Sequence, residues 1–351
     1  MNPVPVQDER QSVGFRVGPV GILCNPASGK DIRRLTARAS VFDNQEKLAI
    51  LRRAMQGAVA AGAREFLYVP DSHDIASTAV EEVLGQADIG CEIVAKPVDA
   101  PQTDSALDTT RGARAMRDAG CAVAITLGGD GTNRAFTLGW SDAPLIPIST
   151  GTNNVFPRLI EATIAGAAAG LLATGRLPLG EVATRAKTIT VEVEGESPDC
   201  ALIDAVLTSD RFVGSRALLD PSRLRALLLT RAEASGIGMT AIGGLIDPLS
   251  DDDNGGLLIE FGKGGFRVRA PIAPGHHEAV DIRSIRRVEL GEPVEFQGLG
   301  MLAFDGERER LLKRDQRATL RVGRDGPWVI DVDRVHTRAA RAGWFRMDAS
   351  A

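Results

Sequence analysis

The sequence predicts an α/β N-terminal half with a doubly wound, mostly parallel, Rossmann-like sheet, followed by a β-rich half forming an antiparallel sandwich. Three observations carry this prediction. Short apolar, β-branched runs alternate with helical-period segments from Val17 to about Ala173. Those runs end in loops rich in glycine and hydroxyl residues, where parallel α/β sheets bind their ligands. Beyond Lys187 the pattern changes to period-two alternation broken by glycine and proline turns.

Residues 1–17 read as a loose polar arm, 18–180 as the α/β domain and 181–327 as the β-sandwich domain. Val20–Cys24 is a first strand, turning through Asn25-Pro26-Ala27-Ser28-Gly29-Lys30. A helix over about 44–61 opens at Asp43, with Glu46 three residues on at capping-box spacing, and buries Leu48, Leu51, Met55 and Val59. Glu65–Pro70 is a strand, and Asp74–Leu84 a helix with Ile75, Val80 and Val83 inward. Cys91–Ala95 is the next strand, followed by a helix from Ser105 to about Ala119. The strands Cys121–Leu127 and Pro144–Ile148 come next, and an alanine-rich helix, Ile160–Ala173, closes this half.

In the second half, Lys187–Glu194, Ala201–Leu207, Leu257–Phe261, Phe266–Ala270, Ile285–Leu290, Met301–Phe304 and Thr319–Val322 read as strands. A helix over about Arg216–Ala232 interrupts them. Residues 328–351 form a C-terminal segment, with a strand and short helix that return to the first domain.

The 351 residues are 44% hydrophobic, enough for two cored domains. A net charge of −5 supplies no global basic field for nucleic acid or an anionic membrane. The cysteines Cys24, Cys91, Cys121 and Cys200 are scattered, which argues against a thiolate metal site and for a reducing compartment. His276 and His277 lie in a loop without further zinc ligands. No run approaches a membrane span and no apolar leader opens the chain, so a soluble, cytoplasmic protein is expected.

The most informative stretch is Leu127-Gly128-Gly129-Asp130-Gly131-Thr132-Asn133, directly behind an apolar strand. Its glycines allow positive φ and the close approach of an anion to backbone N–H groups. The plain alternative is a glycine-rich βα turn capped by Asp130 and Thr132. Two sibling loops shift the balance toward phosphate: Asn25 to Lys30, and Gly151-Thr152-Asn153-Asn154. Ser28 and Thr132 offer hydroxyl donors and Lys30 a point charge, while Asn153 and Asn154 suit a ribose or an adenine edge. Ser28 equally suits a helix cap, and the asparagines suit turns. A fourth element, Phe304-Asp305-Gly306-Glu307, also reads as a plain Asp-Gly hairpin turn.

Together these elements resemble the superfamily of NAD kinases, diacylglycerol kinases and sphingosine kinases, over about residues 20–330. Within it the chain is most similar to the ATP-NAD kinase-like X proteins of acetoin catabolism. The marks are the overall length, Val20 to Lys30, Asp108-Thr109 and Gly236 to Gly244. The resemblance implies the NAD kinase-like two-domain architecture, with ATP and Mg²⁺ bound between the domains. The nucleotide would lie along Asn25, Ser28, Gly29, Lys30, Gly128, Gly129, Gly131, Thr132, Asn133, Gly151, Thr152, Asn153 and Asn154, with its phosphates on the glycine loops. Asp130, by likeness to NAD kinases, or Glu307, by likeness to bacterial lipid kinases, would be the general base. Asp204, Gly236, Gly238 and Thr240 would meet the acceptor, a small soluble molecule, and the metal ligands stay open. The family tends toward homo-oligomers.

Two departures concern the acceptor. The family's A-L-N-E/D element reads Ala201-Leu202-Ile203-Asp204, with isoleucine in place of the amide that grips adenosine. The T-G-S-T-A-Y loop reads Ser235-Gly236-Ile237-Gly238-Met239-Thr240-Ala241, with most hydroxyls gone. An ATP-dependent kinase acting on NAD or an acetoin-pathway metabolite is the first expectation. A nucleotide-binding accessory protein on a kinase scaffold is the second.

Overall fold

The structure, a computed structural model, describes residues 14–29, 43–86, 92–151, 153–209 and 220–346. Most of the expected arm, Lys30, Cys91, Thr152 and the start of the helix expected from Arg216 therefore lie outside the described residues.

The first half alternates as its periodicity requires: β1 (Val20–Cys24), α1 (Asn44–Ala60), β2 (Glu65–Tyr68), α2 (Ile75–Leu84), β3 (Val94–Pro97), α3 (Ala106–Asp118), β4 (Val123–Gly128), α4 (Asp130–Gly139), β5 (Pro144–Ser149), α5 (Ala162–Ala173) and the short α6 (Leu179–Val182). Local chemistry sets the helix starts. Asp43 accepts from the Glu46 N–H at α1, and Ser105 accepts from the Leu107 N–H at α3. Asp74 does not cap α2; Asp71 does, its buried carboxylate accepting from the Ile75 and Ala76 N–H groups.

β6 (Ala183–Arg185) leads into the second half: β7 (Thr188–Val193), β8 (Asp199–Ala201), β9 (Asp204–Thr208), β10 (Leu224–Leu229), α7 (Met239–Gly244), β11 (Gly256–Ala273), β12 (His276–Val288), β13 (Val294–Gln297), β14 (Gly300–Phe304), β15 (Glu307–Leu312) and β16 (Arg317–Gly323). The chain ends in β17 (Trp328–Ile330) and α8 (Val332–Arg341).

Seven strands form the first sheet, in the order β3-β2-β1-β4-β5-β17-β6, parallel except where β6 pairs with β17. One face carries α1, α2, α5 and α8, and the other carries α3 and α4. Helix α1 meets α5 closely because glycines line the contact: a Cβ on Gly166 would lie 1.8 Å from the Ala54 carbonyl oxygen. Two antiparallel sheets make the second half, β12-β11-β10-β9-β14-β15 and β13-β16-β7-β8. Between them lies a core of Ile189, Val191, Leu207, Leu228, Phe296, Leu302, Phe304 and Leu320, which is the sandwich.

Five expectations are corrected. His276 and His277, expected in a loop, open strand β12 and pair with Ala273 and Pro271. The run expected as a helix to Ala232 contains instead a turn at Pro221–Arg223 and the strand β10, paired on both sides by β9 and β11. Its leucines suit a helix locally, but a central position in a buried sheet outweighs that propensity. Leu257–Phe261 and Phe266–Ala270 are one strand, β11, whose residues Phe261 and Phe266 both pair with Ile282 across an intervening bulge. Strand β3 begins at Val94 rather than Cys91. Finally, the run Ala201–Leu207 breaks at Leu202 and Ile203, so that β8 and β9 belong to different sheets.

Candidate active site

Strand order reverses between β1 and β4, with β2 and β3 on one side and β5 on the other. Ligands of open α/β sheets bind at such a switch point, beyond the strands' carboxyl ends. All three glycine-bearing loops leave the carboxyl ends of β1, β4 and β5, which are adjacent.

Hydrogen bonds interlock these loops. The Asn25 amide donates to Thr132 Oγ1 at 2.8 Å, tying the β1 loop to the start of α4. Ser28 Oγ donates to the Asn25 carbonyl at 2.7 Å, and Gly29 follows at φ +73°. In the β5 loop, Asn154 donates to Ser149 Oγ, whose hydroxyl donates to the Gly151 carbonyl. Asn153 is exposed at the tip, and Thr150 Oγ1 is buried without a hydrogen-bond partner. Asn133 lies beneath the surface: its Oδ1 accepts from Thr126 and its Nδ2 donates to the Gly129 carbonyl. Its side chain braces the loop from below.

The glycines of the β4 loop serve space rather than positive φ. Gly129 has φ −99°, Gly131 lies inside α4, and neither they nor Gly128 adopt the left-handed region. A Cβ on Gly128 would sit 2.5 Å from Thr132, and one on Gly129 would sit 2.9 Å from Asn154 Oδ1. Gly128→Ala is therefore expected to cost about 1–3 kcal/mol of stability. Denaturant titration checks this, and an unchanged midpoint would refute it.

Asp130 opens α4, and its carboxylate accepts from the Val155 and Phe156 N–H groups at 2.8–3.2 Å, fastening the β5 loop to the β4 loop. The second half brings another acid toward it. Asp305 and Gly306, at φ 49° and 82°, form the two-residue turn between β14 and β15. The Asp305 carboxylate is buried and accepts from the N–H groups of Leu202, Ile203 and Asp204 at 2.7–3.1 Å. The break between β8 and β9 makes those three N–H groups available. Burial, reinforced by the Asp130 charge, raises Asp305 to about 7 despite these donors. Asp204 is buried at the start of β9. Glu307 opens β15, paired with Phe304, and its side chain lies outside the described residues.

A pH dependence follows. The native state holds a proton on Asp305 between about pH 4 and 7 that the unfolded chain releases. This group's contribution is thus greatest below pH 4, is lost as pH rises through that window, and stays lost above 7. The stability of the wild type minus that of Asp305→Asn is expected to fall between pH 4 and 7. A difference that stays flat or grows would contradict the assignment.

Arg134, on α4 one residue beyond the glycine motif, crosses to the second half. It donates to the Cys200 carbonyl and to Asp199 at 2.7 Å, and its guanidinium lies 5.2 Å from the Phe304 ring centroid. Arg310 holds the other Asp199 oxygen at 3.1 Å. Arg231, just after β10, lies over Phe156 and bonds Asp251. The segment containing Gly236, Gly238 and Thr240 continues from there, with Glu233 N–H donating to the Thr240 carbonyl. Gly238, at φ +82°, starts α7, and Thr240 Oγ1 is buried without a hydrogen-bond partner. Ile203 is 1% exposed, in the same apolar cluster as Leu202, Phe136 and Phe156.

The structure thus brings together Asn25, Gly128 to Thr132, Ser149 to Gly151, Asn154 and the Leu202–Asp204 turn. Sequence reasoning overlooked Arg134, Lys47 and the role of Asp305. Lys47 carried a legible signal, a charge on the α1 stripe that buries Ile50, Leu51 and Ala54. No group of three or more metal-ligating side chains occurs among the described residues. Asp130 and Asp305 are nonetheless close enough to interact, and Mg²⁺ is commonly held by one or two acids plus substrate oxygens. The unpartnered Thr150 hydroxyl and the α4 N-terminus suit phosphate oxygens.

Comparison with known proteins gives the family and the fold. Residues 20–176 match the ATP-NAD kinase N-terminal domain, and residues 187–325 match the acetoin catabolism protein X C-terminal domain. Acetoin catabolism protein X of Cupriavidus necator is 37% identical over 311 residues, covering 86% of each chain. The fold is similar to that of yeast NADH kinase, solved in complex with NADH. That likeness has a TM-score of 0.52 at 12% identity, covering 96% of this chain and 89% of the other.

Proposed function

Because this chain belongs to the acetoin catabolism protein X family, we propose that it is an ATP-dependent phosphotransferase acting on a hydroxyl of a small soluble acceptor. The supporting observation is the meeting of three glycine loops at the β1/β4 switch point with Asp130, and with Asp305 entering from the second half. Phosphoryl transfer needs positioning and charge stabilisation more than covalent chemistry.

In this reading the backbone around Gly29, Gly128, Gly129, Gly131 and Gly151 lies against the phosphates, with Thr132 beside it; Lys30 and Thr152, outside the described residues, are proposed for the same nucleotide. Bound Mg²⁺, held by Asp130 or Asp305, would screen the phosphate charge. Asp130 accepts the proton of the acceptor hydroxyl as that oxygen bonds to the γ-phosphorus and ADP leaves with the electrons of the broken P–O bond. Glu307 is the other proposed acid, and Asp204, Gly236, Gly238 and Thr240 line the acceptor side. No helix of the described residues is long and apolar enough to cross a membrane.

Ile203 favours a second reading. Its burial leaves no amide at that position to meet an adenosine, which suits either an acceptor other than NAD or a nucleotide-binding accessory protein. Asparagine at 203 would bury an amide in an apolar cluster, so Ile203→Asn is a stability probe rather than a route to NAD binding. The deciding experiment incubates the protein with ATP and Mg²⁺, with NAD or with hydroxylated metabolites, and follows ADP and phosphorylated product. Acceptor-dependent product supports the kinase. Saturable ATP binding with no turnover on any acceptor supports the accessory role, and no ATP binding removes both.

A further inference from the structure

Lys47 is the one lysine of α1 and is 0% exposed. Its ammonium donates to the carbonyls of Asn25 at 3.0 Å, Pro26 at 2.8 Å and Ser28 at 2.7 Å, and lies 3.3 Å from Asn44 Oδ1. Three of these partners are carbonyls of one short loop, the β1 loop.

This arrangement has a geometric consequence. In a trans peptide the C=O of one residue and the N–H of the next point in opposite directions. Drawing the Pro26 and Ser28 carbonyls toward α1 turns the Ala27 and Gly29 N–H groups to the loop's other face. The Asn25 side chain accepts from Ala27 there, and its amide reaches on to Thr132 at the start of α4. The Ala27 and Ser28 N–H groups are held within the loop by Asn25, so its fold keeps the carbonyl oxygens, which would repel an anion, on the α1 side and turns the Gly29 N–H away from them. A desolvated ammonium behind it adds a positive charge that water screens poorly.

We propose that Lys47 is a positioning residue for the polyphosphate of a bound nucleotide, holding the β1 loop with its amide face toward the phosphates and supplying a fixed positive charge behind it. This rests on the nucleotide-binding reading above. Lys47 touches no phosphate itself; it acts through the loop, so its effect scales with the number of phosphates.

The test compares ATP, ADP and AMP binding by calorimetry for the wild type, Lys47→Met and Lys47→Arg. Lys47→Met is expected to weaken ATP and ADP by about 10- to 100-fold while changing AMP by about twofold or less, with Lys47→Arg recovering part of the loss. Equal weakening of all three nucleotides would mark a merely structural lysine and overturn the proposal, as would unchanged ATP affinity. Should Lys47→Met fail to fold, Asn44→Ala removes one partner and leaves the charge. It is expected to weaken ATP by about threefold with AMP unchanged, and no difference between the two nucleotides would overturn the proposal. A wild type that binds none of the nucleotides would remove the nucleotide reading together with this inference. A wild type that binds ATP beside an unaffected Lys47→Met would remove this inference alone.

Discussion

Asp130→Asn is expected to lower phosphoryl transfer by about 10²- to 10⁴-fold, the usual cost of losing a positioned acid or base. The substitution also disturbs the β5 loop. Oδ1 accepts from both the Val155 and Phe156 N–H groups, so an asparagine oxygen there keeps both, but its NH₂ replaces the oxygen that lies 3.2 Å from the Val155 nitrogen. ADP release and protein stability are therefore both to be measured. Loss of turnover with ATP affinity retained within several fold identifies a chemical role. Loss of ATP affinity in proportion to turnover identifies a loop-fastening role. Turnover within tenfold of the wild type would exclude Asp130 as the base.

Breaking the ion pair between the halves should have the largest effect on stability. Arg134 and Asp199 have side chains 5% and 8% exposed, so removing one leaves a buried charge behind. Arg134→Met is expected to destabilise the fold by about 3–5 kcal/mol, toward the lower figure because Arg310 still holds Asp199. The double variant Arg134→Met/Asp199→Asn is expected to lose less than the sum of the two single changes. Equilibrium denaturation measures both quantities, and a loss below about 1 kcal/mol for the single variant would refute the role. Because Arg134 follows the glycine motif directly, the same pair ties α4 to β8, just ahead of the break at Leu202 and Ile203.

Much of the first half was legible because its signals are local. Asp43 with Glu46, Ser105 ahead of its helix, and the apolar β4 run before Gly128 each carry their meaning within a few residues. Long-range pairing was less legible. The leucines of β10 look helical until β9 and β11 flank them. The Asp305-Gly306 pair announces a hairpin, and it forms one, but nothing near it in sequence foretells that its carboxylate gathers three amides about 100 residues away.

The sequence by itself determined the alternation of the first half, the switch to period two beyond Lys187, and the three loops that end β1, β4 and β5. These follow from apolar periodicity and from the backbone demands of glycine, which act over neighbouring residues. Only the tertiary structure decided which charged groups are buried together: Lys47 under the β1 loop, Arg134 with Asp199, and Asp305 within the influence of Asp130. The reason is physical. A buried charge survives only with partners, and the chain supplies those partners from positions that folding alone brings together.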